Sequence, residues 1–157
     1  MQLISVRIIT ADVHRMVTFY EQVIETTAVW GNDLFAEVTT PLATVAIGSD
    51  QTVPLFGDGV AEPGMNRSVI IEFIVDDVDA EHARLESILT EQDCEIVQEP
   101  TTMPWGNRSL LFRDPDGNLV NLFTPVTSRP APSSASSGEG GNAAAFAGGD
   151  VPDSHRR

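Results

Sequence analysis

Few side chains in this sequence can carry out acid–base, nucleophilic or metal chemistry. The 157 residues include three histidines (His14, His82 and His155), one cysteine (Cys94) and no lysine. The lack of lysine excludes Schiff-base catalysis and the lysine of a phosphate-binding loop. A single cysteine excludes an intrachain disulfide and a metal site built from several thiolates. The remaining candidates are carboxylates, because 23 acidic residues against nine arginines give a formal net charge of −14.

Two glutamates, Glu72 and Glu37, lie on predicted strands from which their side chains could face a cavity. Glu72 alternates with Ile70 on an apolar strand, so both side chains point to the same side of a sheet. In an apolar cavity Glu72 could act as a general base. It could equally form a structural ion pair with Arg7, which lies on a corresponding strand near the N-terminus, and this is the favoured interpretation. Glu37 could likewise act in a site or have a purely structural role. For Glu37 we favour simple exposure to solvent.

Aromatic side chains offer a site that binds without reaction. Five of them fall on predicted strands or loops, namely Trp30, Phe35, Phe56, Trp105 and Phe123. Aromatic walls with an acidic rim favour a flat, apolar or cationic molecule, held by stacking and cation–π contacts. Because a large aromatic side chain on a loop needs a burial partner, we expect Trp105 to form a cavity wall. Asn121 is expected to hydrogen-bond a ligand or neighbouring backbone groups.

Charge and hydropathy restrict the partners. An acidic chain repels phosphate backbones and anionic lipid surfaces, so we expect neither nucleic acid nor a membrane as a partner. No apolar run approaches the roughly 18–20 residues that span a bilayer. The first five residues lack the basic and apolar regions of a secretory signal. We therefore expect a cytoplasmic protein.

A repeated pattern supplies the elements that position these side chains. Ile4–Thr10 is an apolar, β-branched run followed by Asp12 and a helical pattern, and Val69–Val75 is a similar run followed by Asp77 and another helical pattern. Each aspartate is placed to cap its helix. Three further strand-like segments follow in each copy.

The repeat predicts an α+β fold built from two tandem βαβββ modules. The modules are predicted at residues 1–50 and 66–127, with a Gly- and Pro-rich connector at 51–65. Asp114–Asn118 (Asp-Pro-Asp-Gly-Asn) is a strong turn signal before the last strand. Residues 128–157, rich in Pro, Ser, Gly and Ala, are predicted to be a disordered tail.

These motifs together resemble a known superfamily. The duplicated strand–Asp–helix pattern, Pro104-Trp105-Gly106 and the closing stretch Phe112–Leu122 are similar to the vicinal oxygen chelate superfamily, the group of glyoxalase I, bleomycin-resistance proteins and extradiol dioxygenases. The resemblance covers residues 1–127. It implies that each module curls into a half-barrel around a cavity, forming a glyoxalase-like domain, and that the chain forms a homodimer.

The resemblance also implies a metal site, for which this sequence lacks the ligands. In the superfamily, His and Glu side chains from the first and last strand of each module bind a divalent ion. The matching positions here are Ser5, Ile70 and Asn121, and Ala43–Gly48 holds no histidine or acid. We therefore expect no metal and no other cofactor. The alternative is a divalent metal at an atypical site that includes Glu72 or Glu37.

The resulting hypothesis is a metal-independent protein that binds a small organic molecule, an aromatic or cationic compound, as antibiotic-sequestering proteins do. The candidate ligand-binding residues are Arg7, Trp30, Phe35, Glu37, Trp105, Asn121 and Phe123. The alternative is an enzyme of the glyoxalase, dioxygenase or isomerase type, with Glu72 as the catalytic residue or with the atypical metal. A third possibility is a regulatory module with an empty cavity.

Overall fold

The computed structural model describes residues 1–125, so the predicted tail at 128–157 lies outside the described residues. Eight strands, two α-helices and one short 3₁₀ helix follow one another along this part of the chain. In order they are β1 (Ser5–Thr10), α1 (Val13–Ile24), β2 (Val29–Asn32), β3 (Phe35–Thr39), β4 (Thr44–Ser49), the 3₁₀ helix (Asp50–Leu55), β5 (Ile70–Ile74), α2 (Val78–Glu91), β6 (Ile96–Thr102), β7 (Asn107–Arg113) and β8 (Leu119–Pro125).

The strands form two four-stranded sheets of the same topology. Their orders are β1-β4-β3-β2 and β5-β8-β7-β6. In each sheet the first strand pairs in parallel with the last, and the other pairs are antiparallel. The α+β prediction of two tandem βαβββ modules is confirmed. No helix within residues 1–125 is long and apolar enough to cross a membrane.

Both helices begin at the predicted aspartates. The Asp12 carboxylate accepts a hydrogen bond from the backbone N–H of Arg15, and the Asp77 carboxylate accepts from those of Asp79 and Ala80. These bonds satisfy N–H groups that the first turn of a helix leaves free. Each helix then packs its apolar side on its sheet. His82 on α2 is half-buried, and its Nε2 lies 3.0 Å from the Glu99 carboxylate.

The two modules share one apolar core. A single cluster of buried residues includes α1, α2 and the helix-facing sides of both sheets, with Phe19 packing edge-on against Phe112 at 6.3 Å between ring centroids. Arg84 of α2 also donates to the carbonyls of Gln22 and Val23 at the end of α1, both at 2.8 Å. The helices therefore hold the modules together.

The other side of each sheet is left uncovered by the helices. Since side chains alternate along a strand, Arg7, Ala46 and Glu37 lie in one row on the N-terminal sheet. Glu72 and Asn121 lie in one row on the C-terminal sheet. We call these two surfaces the N-terminal and C-terminal open faces. They carry Arg7, Glu37, Glu72 and Asn121, together with Phe35 and Phe123 among the aromatic candidates.

Candidate functional site

A cleft lies between the start of the first module and the first strand of the second. Its volume is about 490 Å³, within the range of about 300–1,000 Å³ usual for small-molecule sites. One wall is formed by residues 3–6 and by residues 40–45 of the β3–β4 turn, and the other by β5. Most of the lining is apolar, and its polar side chains are Ser5, Thr40, Thr44 and Glu72. We call it the intermodule cleft.

This cleft contains or adjoins the positions that supply the metal ligands in the vicinal oxygen chelate superfamily. Ser5 and Ile70 line it from opposite walls, and Glu72 lies two residues beyond Ile70 on the same side of β5. The Asn121 amide donates to Glu72 Oε1 at 2.8 Å. The resemblance thus identified a set of positions that the fold does bring to one place.

The residues at these positions do not fit a conventional His and Glu metal site. Ile70 offers no donor atom, Ser5 offers a neutral hydroxyl, and the Asn121 amide nitrogen is engaged with Glu72. Glu72 alone contributes a carboxylate. Within residues 1–125 no three His, Cys, Asp or Glu side chains lie close enough together to hold one ion. Glu37 and Glu72 are therefore not brought into a common donor cluster in the described chain.

The side-chain amide of Asn121, in the C-terminal sheet, forms only part of the hydrogen bonds that it could form. The residue is only 9% exposed, and its Oδ1 has no hydrogen-bond partner among the described residues. A buried acceptor without a partner costs about 1–3 kcal/mol. Turning the amide around would set Oδ1 against the Glu72 carboxylate, so the hydrogen bond to Glu72 fixes this orientation. This oxygen is itself buried, so Asn121 supports Glu72 and does not line the cleft.

The structure changes the interpretation of Glu72. Its side chain is exposed at the rim of the intermodule cleft, not enclosed in an apolar barrel. It forms no ion pair with Arg7, so the favoured sequence interpretation was wrong for the described chain. The reason is the neighbouring strand, because the in-register residue on β8 is Asn121, whose amide supplies the partner.

Arg7 has aromatic partners instead of a carboxylate. Its guanidinium carbon lies 4.9 Å from the centroid of the Phe35 ring and 5.9 Å from that of Phe56. Cation–π contact over such distances holds a guanidinium without using its N–H groups. Glu37 is exposed on the same open face, two strands away across Ala46. The expected exposure of Glu37 agrees with this position.

The other aromatic candidates do not converge on the cleft. Trp30 is 39% exposed and packs against the ring of His14 at 4.6 Å between centroids. Trp105 is 68% exposed and does not line the intermodule cleft, so it forms no wall of that cleft. The β-turn closed by the hydrogen bond from Gly106 N to Met103 O places it at the tip of the β6–β7 hairpin. Phe123 is half-buried beside Asn121 on β8.

One polar network went unrecognised in the sequence. Asp114, predicted only as a turn residue, is 2% exposed and accepts from the hydroxyl of Tyr20 at 3.0 Å. It also accepts from the Asp116 N–H and from two groups of Asn118. Burial raises the pKa of the Asp114 carboxyl above its ordinary value, although these hydrogen bonds oppose the increase. The turn signal located Asp114, but nothing local indicated Tyr20 as its partner.

Comparison with known proteins places the chain in a family. The family model described as "Glyoxalase/Bleomycin resistance protein/Dioxygenase superfamily" matches residues 2–122. The chain belongs to this superfamily. The match confirms the resemblance that the motifs indicated. No curated protein matches the chain.

Solved structures share its fold at low sequence identity. A glyoxalase/bleomycin resistance protein/dioxygenase family enzyme from Burkholderia phytofirmans PsJN has a TM-score of 0.68 at 16% identity, covering 80% of this chain and 99% of its own. A glyoxalase/bleomycin resistance protein/dioxygenase from Nocardioides has a TM-score of 0.66 at 22% identity, with coverages of 83% and 88%. A protein from the mobile metagenome of V. Pseudocholerae has a TM-score of 0.57 at 26% identity, with coverages of 82% and 96%.

Proposed function

We propose that this superfamily member binds a small, largely apolar organic molecule in the intermodule cleft, without a metal ion. The observation that carries the proposal is the pair Ser5 and Ile70. They occupy the positions of metal ligands in the resembling superfamily, and they line a cleft of about 490 Å³ from opposite walls. An aliphatic side chain in that place adds apolar contact area to the cleft.

Burial supplies the affinity in this proposal. Removing apolar surface from water contributes about 25 cal/mol per Å² before the costs of association are subtracted. Glu72 at the rim is a hydrogen-bond acceptor and carries a negative charge, so a ligand with an N–H or a positive charge is favoured over an anion. Such a protein lowers the free concentration of its ligand by mass action, which is how sequestration confers resistance to a toxic compound.

Nuclear magnetic resonance of backbone amides tests the proposal. Indole and naphthylmethylammonium are titrated in a buffer that contains EDTA, and we expect shifts in β5 and in residues 3–6. Ala43→Trp should abolish these shifts because Ala43 lines the cleft. The matched control is Ala83→Trp, at an exposed position of α2 that lines none of the described cavities. Equal binding by both variants would place the ligand elsewhere.

A second candidate function is proton transfer by Glu72. The observation that favours it is the 2.8 Å hydrogen bond from Asn121, which orients the carboxylate at the rim of the cleft. A general base must be held within hydrogen-bond reach of the proton it removes. Glu72→Gln should then abolish turnover of a substrate while leaving its binding within about threefold, since the apolar walls remain. Unchanged turnover in that variant would eliminate Glu72 as the base.

We further propose a cytoplasmic homodimer. Val97 on β6, the edge strand of the C-terminal sheet, and Trp105 in the β6–β7 turn are exposed apolar side chains away from the intermodule cleft. A second copy that covers these side chains would remove apolar area from water. Analytical ultracentrifugation of the wild type against Trp105→Ser tests the assembly, with a shift toward monomer expected for the variant. The single cysteine is compatible with a reducing compartment.

A further inference from the structure

Arg7 differs from the other arginines that the structure describes. Each of the other five donates a hydrogen bond to a carboxylate or to a backbone carbonyl, and these are Arg15, Arg67, Arg84, Arg108 and Arg113. For Arg7 no such acceptor and no carboxylate within 4.0 Å is found among residues 1–125. This is notable because the chain has a formal net charge of −14 and offers carboxylates in excess.

Two aromatic rings hold the Arg7 side chain in place. The Phe35 and Phe56 rings lie 4.9 and 5.9 Å from its guanidinium carbon. Aromatic rings contact the face of a guanidinium, so its N–H groups stay available for hydrogen bonds. The planar fork of these groups matches the two oxygens of a carboxylate.

Small, buried residues lie beside Arg7 on the neighbouring strand. Its neighbours on β4 are Ala46 and Gly48, which place no bulky side chain on the open face. A Cβ added at Gly48 would lie 3.7 Å from Arg7 Cδ and 3.9 Å from Phe35 Cδ2, which is ordinary contact. Phe56 is 65% exposed, so its ring can take a further aromatic partner.

A cavity of about 260 Å³ adjoins this place along the edge of β1. Arg7 lines it together with Glu62, its one acidic lining residue, and with Asn66 and Asn118, whose amides donate to Val69 and Asp114. This cavity shares Val6 and Ile71 with the intermodule cleft, whereas Arg7 does not line the cleft.

We propose that Arg7, Phe35 and Phe56 form a second binding site, for a planar aromatic carboxylate, on the N-terminal open face. The carboxylate accepts hydrogen bonds from the Arg7 guanidinium, and the aromatic ring of the ligand stacks on Phe56. This site takes a negatively charged group, whereas the intermodule cleft favours a neutral or cationic molecule. It does not depend on the function proposed for the cleft.

The test uses benzoate as the probe and follows the side-chain Nε–H resonance of Arg7 in the full chain. Benzoate should shift this resonance with a Kd on the order of 1 mM. Benzamide, which has the same shape and no charge, should bind at least about tenfold more weakly. Equal binding of benzoate and benzamide, or no shift up to about 20 mM benzoate, would overturn the proposal.

Variants distinguish this site from general attraction of anions. Arg7→Gln should weaken benzoate binding at least about tenfold, whereas Arg67→Gln, at another exposed arginine, should leave it unchanged. Phe56→Leu should weaken benzoate more than it weakens acetate, since acetate has no ring to stack. If Arg7→Gln fails to fold, Arg7→Lys keeps the charge without the fork and should still weaken benzoate. Equal weakening by Arg7→Gln and Arg67→Gln would contradict a built site.

Discussion

The hydroxyl of Tyr20, on the helix of the first module, donates a hydrogen bond of 3.0 Å to the carboxylate of Asp114, in the last turn of the second module. Tyr20 is fully buried and Asp114 nearly so. A hydrogen bond to a charged buried group contributes about 1.5–3 kcal/mol. This contact therefore couples the two modules at the side of the molecule opposite the open faces.

Tyr20→Phe should lower the free energy of unfolding by about 1.5–3 kcal/mol, because it removes this hydrogen bond and little volume. Urea denaturation followed by circular dichroism measures the change. The control is Thr18→Ala, at an exposed position of the same helix. If the two variants lose equal stability, the Tyr20–Asp114 bond does not couple the modules.

Asp114 should make the free energy of unfolding fall as the pH rises, which is unusual for a carboxyl group. Burial raises the pKa of the Asp114 carboxyl in the folded state above its ordinary value, so the folded chain holds this proton more tightly than the unfolded chain. The contribution of Asp114 to the free energy of unfolding is fully present below the pKa of the unfolded state. It is lost as the pH rises through the pKa of the folded state.

The comparison with Asp114→Asn isolates this contribution, since an amide does not titrate. Measured by urea denaturation, the stability of the wild type relative to the variant should fall as the pH rises from about 4. A relative stability that rises with pH would show that the hydrogen bonds to the carboxylate outweigh its burial.

Cys94 should react slowly with thiol reagents in the folded protein. Burial raises the pKa of its thiol to about 11. At pH 8 about one thiol in a thousand is then ionised, against about one in four for an ordinary cysteine. We expect modification by iodoacetamide to be about 100-fold slower than in urea, as measured by mass spectrometry. Similar rates in the two conditions would mean that the thiol is not protected.

Restoring the ligands of the superfamily should create a metal site. In the variant Ser5→His, Ile70→His, Asn121→Glu, we expect one divalent ion per chain by elemental analysis after dialysis against zinc, because these positions lie on or beside the same cleft. The wild type should retain none. The matched control carries the same residue types at exposed positions, Thr18→His, Ala83→His and Thr90→Glu. Zinc retained equally by the control would show that the cleft positions do not converge.

Much of the fold follows from local patterns in the sequence. Asp12 and Asp77 mark the helix starts through bonds to N–H groups two or three residues away. The Asp-Pro-Asp-Gly-Asn turn and the duplicated strand pattern then give the order of the elements. Such signals are readable because the interacting groups are close in the chain.

The site was less predictable because its contacts join distant segments. Asn121 contacts Glu72 across 49 residues, and Tyr20 contacts Asp114 across 94 residues. Alternation correctly placed Glu72 on an open face, but the identity of its partner depends on the register of β5 and β8. The exposure of Trp105 depends on the geometry of a turn, and hydrophobicity alone predicted burial.

The most direct measurement is native mass spectrometry of the wild type after treatment with EDTA and addition of indole. We expect a complex of one indole per chain that carries no divalent ion and that Ala43→Trp fails to form. A complex that forms only after a divalent ion is restored, with that ion bound to the chain, would contradict it.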